Sequence, residues 1–514
     1  MIGGQEEKTE SEAGANRRIC PCFSLAEKTA RQGEANGCKG LRIISKDELA
    51  AMAPNVGGIG AMISPNTAIF DPFRYTVALA ENAVKNGAER VLVLERNSCA
   101  GGTLNQCIHD GFGLVRYHET LTGPQYAHRA AAEAEAAGVM LKTDAMVVSM
   151  SRDRRVSVVS REGFQTYEAG AVVLATGCRE RTRGALAIPG SRPAGIFTAG
   201  VVQNLVNAKN VMVGKRVVIL GSGDIGLIMA RRLTLEGAKV LAVAEVMKTS
   251  GGLQRNISQC LYDFGIPLHT SHTVSNIFGK KKLTGVEISG VDDDLKPIPG
   301  TAWTIECDAL VLSVGLIPEN EVDRGAGVAL DERTNGTITN EFMRTSVSGV
   351  FSCGNAHAVM DLVDFVSAQG ECAGYNAAAF LKGTEMKPWK LDRRSEPAKG
   401  LPDPDALNCI LCPNGCRLRY EVNGAVSGNR CPRGAEYAVQ ERTAPRRTLT
   451  LTVRTESGRL VPVRTERPIP REKLLEGAEN LQQVILPDRD IACGQVLVPE
   501  LMGAAVIACA NVKI

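Results

Sequence analysis

The chain has 514 residues, room for several domains, and its 44% hydrophobic and 22% charged content is that of a globular protein. Its 59 basic and 56 acidic residues leave a net charge of +3, which excludes a global field aimed at nucleic acid or a membrane surface, and eight Tyr with two Trp argue against an aromatic-lined nucleic-acid groove. No apolar run reaches bilayer-spanning length and the polar start MIGGQEEKTESEAGANRR does not read as a signal peptide, so a cytoplasmic location is expected, with the sixteen cysteines serving metal or redox chemistry rather than a disulfide framework.

Residues 1–40 are polar and carry Cys20, Cys22 and Cys38, too sparse for a metal site without partners elsewhere. The spacing then predicts helices over 46–52 and 74–86, the second ended by Gly87. This stretch, 40–89, resembles part of the substrate-side region of the glycerol-3-phosphate dehydrogenase and 2-hydroxyglutarate oxidase family of flavoproteins. Next, 91–94 (VLVL) reads as a buried strand ending in Glu95, followed by Gly101, Gly102, Thr103 and, shortly after, Cys107 and His109. A second strand and turn, 171–177, ends in Thr176 and Gly177.

The segment 215–245 (KRVVILGSGDIGLIMARRLTLEGAKVLAVAE) is strand, glycine turn, helix, strand. Gly221 permits the tight turn, Gly223 lets a pyrophosphate approach the N–H groups at the helix start, where Asp224 and Ile225 follow, and Gly226 lets helix and strand pack closely. Glu245 closes the second strand at the distance where a carboxylate holds adenosine ribose hydroxyls, which points to NADH, with Lys248 nearby as the opposing charge. Downstream come the strand 308–315 (DALVLSVG) and the strand and turn 349–355, which ends in Gly354 and Asn355.

In this order the stations resemble the FAD-dependent pyridine nucleotide-disulfide oxidoreductase family over about residues 90–390. The resemblance implies an α/β fold of two Rossmann-like dinucleotide-binding domains, an NAD-binding domain at 196–310 inserted in an FAD-binding domain at 90–195 and 311–390. It also implies that Glu95, Gly101, Gly102, Thr103, Thr176, Gly177, Gly354 and Asn355 face FAD. The sequence departs from the family in three places. The window 70–88, where the first strand and its GxGxxG belong, reads as a helix entered through Asp71 and Pro72. Asn355 stands where most members have Asp. Of the family's CxxxxC pair only Cys107 remains, so a dithiol mechanism does not carry over; Cys107 is expected to be a flavin-side thiol and His109 a proton donor, or both are packed structural residues.

After a Pro- and charge-rich linker, 391–405, the spacing Cys409, Cys412, Cys416 and, fourteen residues on, Cys431 can wrap one tetrahedral ion or one cubane cluster. The run resembles the N-terminal iron–sulfur segment of molybdopterin oxidoreductases, which implies a 4Fe-4S cluster, with zinc as the alternative. Over 406–514 it also resembles a small cysteine domain found alongside flavin oxidoreductases of glycerol-3-phosphate type. Stretches 448–463 and 483–498 alternate apolar and polar residues and are predicted to be short antiparallel strands. Together these parts imply an FAD-dependent NAD(P)H oxidoreductase passing electrons between NADH, flavin and a cluster, for a partner dehydrogenase or acceptor protein such as one of glycerol-3-phosphate type. The alternative is a flavin-free, non-catalytic NAD-binding partner protein with a structural zinc site.

Overall fold

The computed structural model describes residues 90–390, 397–422 and 424–513, together with the backbone of two N-terminal strands. The helices expected over 46–52 and 74–86, the window 70–88, and Cys20, Cys22 and Cys38 lie outside the described residues. The chain divides into two units, residues 1–68 and 69–514. In the first, Arg42–Ser45 pairs antiparallel with Gly60–Ile63.

In the second unit, β1 (Leu92–Leu94) leads through a 3-10 turn, Gly102–Gln106, to α1 (Gly123–Ala136) and then β2 (Met140–Lys142), which runs parallel to β1. The start of α1 is written in its sequence. Thr122 accepts from the Gln125 N–H while the Gln125 side chain accepts from the Thr122 N–H, and Pro124 in the first turn needs no donor. A three-stranded antiparallel meander, β3 (Met146–Met150), β4 (Arg155–Ser160) and β5 (Gly163–Glu168), precedes β6 (Val172–Leu174) and β7 (Cys178–Glu180).

The central sheet follows: β8 (Ile196–Thr198), α2 (Ala199–Lys209), β9 (Arg216–Leu220), α3 (Asp224–Leu235), β10 (Lys239–Glu245), α4 (Gln254–Cys260) and β11 (Leu268–Thr270). The chain then makes a second meander, β12 (His272–Phe278), β13 (Gly285–Gly290) and β14 (Trp303–Ile305), and returns as β15 (Ala309–Leu312). The parallel order is β8-β15-β9-β10-β11. Alternation along the strands sorts the two faces: Val217, Ile219, Val243 and Val311 pack on α2, α3 and α4, whereas Val218, Leu220, Ala242 and Leu310 pack on the meander through Val274, Val286 and Ile288. Each fully buried Val or Leu contributes about 1.5–3 kcal/mol. The strand β15, which straddles the expected domain boundary at 310/311, is the second strand of the central sheet, its residues buried on both faces and completing both clusters.

Past β15, β16 (Leu316–Pro318) pairs antiparallel with β7, and β17 (Val350–Ser352) pairs parallel with β6 before α5 (Val363–Lys382). Among the described residues β1–β2 and β6–β17 form separate two-stranded pieces. They share one core in which Val93, Ala175, Phe351, Val366 and Ala373 meet.

The C-terminal part begins with β18 (Leu407–Asn408), β19 (Arg417–Tyr420), β20 (Val426–Ser427) and α6 (Pro432–Thr443), with Cys409, Leu418, Tyr437 and Ala438 as its small core. A five-stranded sheet ends the chain: β21 (Thr450–Thr455), β22 (Leu460–Thr465), β23 (Ile485–Leu486), β24 (Val496–Leu501) and β25 (Ala504–Ala508), with α7 (Leu474–Gln482) between β22 and β23. The expected hairpin is there, but β23 runs parallel to β21, since α7 carries the chain back across the sheet before it pairs. Arg447 fastens this part to the central one. Its buried guanidinium bonds both oxygens of Asp263 (2.5 and 2.9 Å) and both of Glu441 (2.7 and 2.6 Å).

Candidate functional site

The Gly221 turn lies between β9 and α3 and is braced by the chain itself. Gly221 has φ +98°, and a Cβ there would stand 2.1 Å from the Ser313 carbonyl oxygen; a Cβ at Gly226 would stand 2.7 Å from the Gly221 oxygen. The Gly226 N–H donates to Ser313 Oγ at 3.0 Å. Gly223 caps α3, and Ile225 packs on the helix-side core. Ser313 is a residue the sequence reading missed; its signal was a small polar residue at the end of an apolar strand, which a close approach to glycine requires.

Glu245 is buried at the end of β10 and holds the same turn. Its Oε2 accepts from the Ser222 N–H at 2.8 Å and the Ser222 hydroxyl at 2.6 Å, and Oε1 accepts from the Met247 N–H at 3.0 Å. Three bonds leave a carboxylate with acceptor capacity for a ligand hydroxyl. Lys248 forms an ion pair with Asp293 at 2.7 Å on the surface. Asp224, at the first position of α3, turns away from the turn and accepts from the Leu253 N–H and from Asn256 Nδ2, each at 2.8 Å. Burial raises its pKa, opposed by those two bonds.

The parallel pair β6–β17 brings two other turns side by side. Gly177 (φ +70°) and Gly354 (φ +65°) follow the two strands, and Cys178 Sγ accepts from Asn355 Nδ2 at 3.4 Å. Asn355 Oδ1 accepts from the Met360 N–H at 3.0 Å, and the Gly354 N–H donates to Gln369 Oε1 at 2.8 Å. Two polar atoms here are buried with no partner among the described residues, Thr176 Oγ1 and Gln369 Nε2. Gln369, missed in the sequence, sits nearly two turns into the apolar pattern of α5, where nothing local marks it. This pair of turns with its orphaned donors is chemistry that fits a polyhydroxylated cofactor chain.

Glu95 is buried after β1 and accepts from the Asn97 N–H at 2.7 Å. Gly101 (φ +121°) and Gly102 (φ +48°) open the 3-10 turn that holds Thr103, and a Cβ at Gly101 would stand 2.8 Å from the Ala127 Cβ of α1. Cys107 is buried at the end of that turn, its Sγ 3.5 Å from Gln203 Oε1 of α2, within a network of amides that includes Gln106, Asn204 and Asn207. His109 stacks on Phe112 with ring centroids 4.9 Å apart.

The four cysteines Cys409, Cys412, Cys416 and Cys431 are free thiols in one segment, gathered by the bond from the Cys409 N–H to the Cys416 carbonyl at 2.9 Å. Burial pushes the Cys409 thiol up to about 11, and the other three thiols add to the shift. Among the described residues, no three Cys, His, Asp or Glu side chains stand in position to grip one ion, so the quartet is gathered but not closed. The donor set suits a soft metal centre; its side-chain placement is not that of a coordinated one.

This cysteine segment is tied to the Gly221 turn. The Ala398 N–H donates to the Pro413 carbonyl at 2.9 Å, the Gln254 N–H donates to the Ala398 carbonyl at 3.0 Å, and the neighbouring Leu253 is the residue Asp224 holds. Lys399 pairs with Asp361 at 2.7 Å, ahead of α5, and Asn408 Nδ2 donates to Ser258 Oγ at 3.3 Å. No helix among the described residues is long and apolar enough to cross a membrane.

Comparison with known proteins adds the following. Residues 76–370, more than half of the chain, match the family model described as pyridine nucleotide-disulphide oxidoreductase. Residues 16–92 match an FAD dependent oxidoreductase family, and residues 432–510 match a family of proteins of unknown function. The chain is 27% identical over 228 residues to a probable ferredoxin reductase of Castellaniella defragrans, covering 43% of this chain and 51% of that one. It is 26% identical over 265 residues to a CoA-dependent NAD(P)H sulfur oxidoreductase of Pyrococcus abyssi, covering 48% and 55%. The chain thus spans about half the length of these curated relatives. A solved thioredoxin reductase of Lactococcus lactis is similar in fold, with TM-score 0.50 at 18% identity over 61% of this chain and 97% of that one. The fold is α/β with two Rossmann-like dinucleotide-binding domains.

Proposed function

The chain belongs to the pyridine nucleotide-disulphide oxidoreductase family, a family of FAD/NAD(P)-dependent enzymes, and from that premise we propose that it is an FAD-dependent NAD(P)H oxidoreductase serving a partner dehydrogenase such as one of glycerol-3-phosphate type. In this reading 196–310 binds NADH, 90–195 and 311–390 bind FAD, and 406–514 is the cysteine-cluster domain. Gly221, Gly223 and Gly226 admit the pyrophosphate, and Glu245 receives the ribose hydroxyls. NADH is preferred to NADPH because Glu245 would repel a 2′-phosphate while the Lys248 charge is engaged by Asp293. Thr176, Gly177, Gly354 and Asn355 line the flavin side, with Glu95, Gly101, Gly102 and Thr103 at its ribose and pyrophosphate end. FAD, when bound, supplies hydride acceptance and single-electron release. Cys409, Cys412, Cys416 and Cys431 would hold a 4Fe-4S cluster, the single-electron site.

The observation that supports this reading most is the bonded path from Asp224 through Leu253, Gln254 and Ala398 to Pro413, which sets the cysteine loop beside the nucleotide turn. Cys107 enters as a flavin-side thiol and His109 as a proton donor, or both as packing groups of the flavin side, with Cys107 Sγ 3.5 Å from Gln203 Oε1. One measurement tests the whole: the anaerobic absorption spectrum of the purified chain with its flavin and metal content. FAD released on denaturation and about four irons per chain are expected, with iron lost and NADH binding kept in Cys412→Ser. Zinc in place of iron with no flavin would overturn the relay. It would leave the flavin-free NAD-binding partner protein with a structural zinc site, a reading favoured by the lack of a GxGxxG motif in the sequence over 70–88.

A further inference from the structure

Where α3, α4, the 108–110 loop and β21 meet, a small pocket opens to solvent apart from the nucleotide turn and the cysteine loop. Its lining is mixed, with Ile108, Ile228, Leu235 and Cys260 beside several polar side chains. Arg231 and Arg232 enter from α3, Gln259 from α4, His109 and Asp110 from the loop, and Thr450 from the C-terminal sheet.

The arginines decide what it can hold. Arg232 has a counter-ion in Glu236, at 2.5 Å, and its Nε donates to Asn207 Oδ1 at 2.8 Å. Arg231 has none. Only 6% exposed, it makes one bond, from Nη2 to the Thr448 carbonyl at 2.7 Å, and its Nε is buried without a partner. Nearby Arg255, 7% exposed, likewise has a buried Nε without a partner. Cys260, on the cavity wall, does not supply the missing charge, because burial pushes its thiol up to about 12. Asp110 is the one carboxylate in the lining and forms no ion pair with either arginine. A guanidinium out of water with no anion opposite it is costly, and planar N–H forks match oxyanions best.

We propose that this cavity binds a small tetrahedral oxyanion of phosphate or sulfate type, received by Arg231 and joined by Gln259, His109 and Thr450, either free or as the terminal group of a larger ligand reaching in through the mouth. Because its walls come from three parts of the chain, the bound anion ties the C-terminal sheet to α3 and to the 108–110 loop. The site does not depend on the electron-relay reading.

The test is thermal unfolding of the full chain in rising phosphate or sulfate against chloride at matched ionic strength, together with direct titration of inorganic phosphate. A saturable rise in Tm with phosphate and sulfate beyond that with chloride is expected, with Kd raised at least about tenfold, or about 1.4 kcal/mol, in Arg231→Met. That variant deletes a buried unpaired charge, so its fold is kept, and Thr450→Val, a change of one hydroxyl, provides a second and weaker reduction of affinity. NADH binding stays unchanged in both. Phenyl phosphate binding as well as inorganic phosphate identifies the terminal group of a larger ligand; phosphate alone identifies the free anion. No difference from chloride, or a saturable rise that persists unchanged in Arg231→Met, overturns the proposal.

Discussion

The Gly221 turn of the central sheet and the paired turns after β6 and β17 differ in what satisfies their polar groups. Around Gly221, Ser222, Asp224, Glu245 and Ser313 bond to backbone and side-chain groups of the chain, and Ser250 Oγ donates to the Ser222 carbonyl at 3.0 Å. After β6 and β17, Thr176 and Gln369 each keep a buried polar atom without a partner. The sheets repeat the contrast: five parallel strands, the inner three largely buried on both faces, in one case, separate two-stranded pieces among the described residues in the other. A region that satisfies itself holds its shape with or without ligand. One with orphaned polar atoms loses about 1–3 kcal/mol for each of them until a ligand or water fills the place.

The largest effect that would break this contrast comes from Gly221→Ala. The new methyl meets the Ser313 oxygen at 2.1 Å with φ at +98°, so backbone as well as side chain must move. A loss of about 4 kcal/mol or more in urea unfolding is expected, with NADH binding abolished. Retention of NADH binding within about twofold would show that the turn is not the rigid element the bonding implies.

A smaller effect sharpens the other side. Asp323 lies in the short helix Glu321–Gly325, fully buried among the residues that support β6 and β17, and neither carboxylate oxygen has a partner. Burial, and secondarily the Glu321 charge, raise its pKa to about 7. With the folded value above the unfolded one of about 3.9, the contribution to stability is full below pH 4 and is lost as pH rises through 7. The unaltered chain is therefore expected to be less stable at pH 8 than at pH 5, by on the order of 2–4 kcal/mol from this group. Asp323→Asn should remove most of that slope in unfolding curves taken at the two pH values. An unchanged slope would mean that Asp323 is hydrated or paired.

How much of this was legible in the sequence follows the same divide. The strand, turn, helix and strand of 215–245 could be read because glycine spacing and apolar runs are local signals, and β9, α3 and β10 follow in the expected order within that segment. The place of β15 was not legible, because DALVLSVG states that a strand is buried and says nothing about which sheet buries it. The tie between Pro413 and Gln254 is a contact across about 160 positions and leaves no local trace. Nor did the spacing CxxCxxxC, which brings four thiols into one segment, dictate rotamers that close on an ion. Nothing local marks Arg231 either; only the tertiary structure removes its water.

The smallest effect discriminates best, because it changes sign with the cofactor. Thr176→Val keeps the shape of the side chain and deletes the orphaned hydroxyl. If the pocket is empty of flavin, as the partner-protein reading holds, removing an unsatisfied buried group stabilises the chain by about 1 kcal/mol. If a cofactor hydroxyl meets Thr176 Oγ1, the same substitution instead loosens flavin and lowers the Tm of the holoprotein, with a matching fall in the flavin retained after dialysis. Thermal unfolding and flavin retention measured on the same two samples therefore separate the readings. A rise in Tm with no flavin to lose would mean that the paired turns after β6 and β17 are a remnant, while only the Gly221 turn still serves a nucleotide.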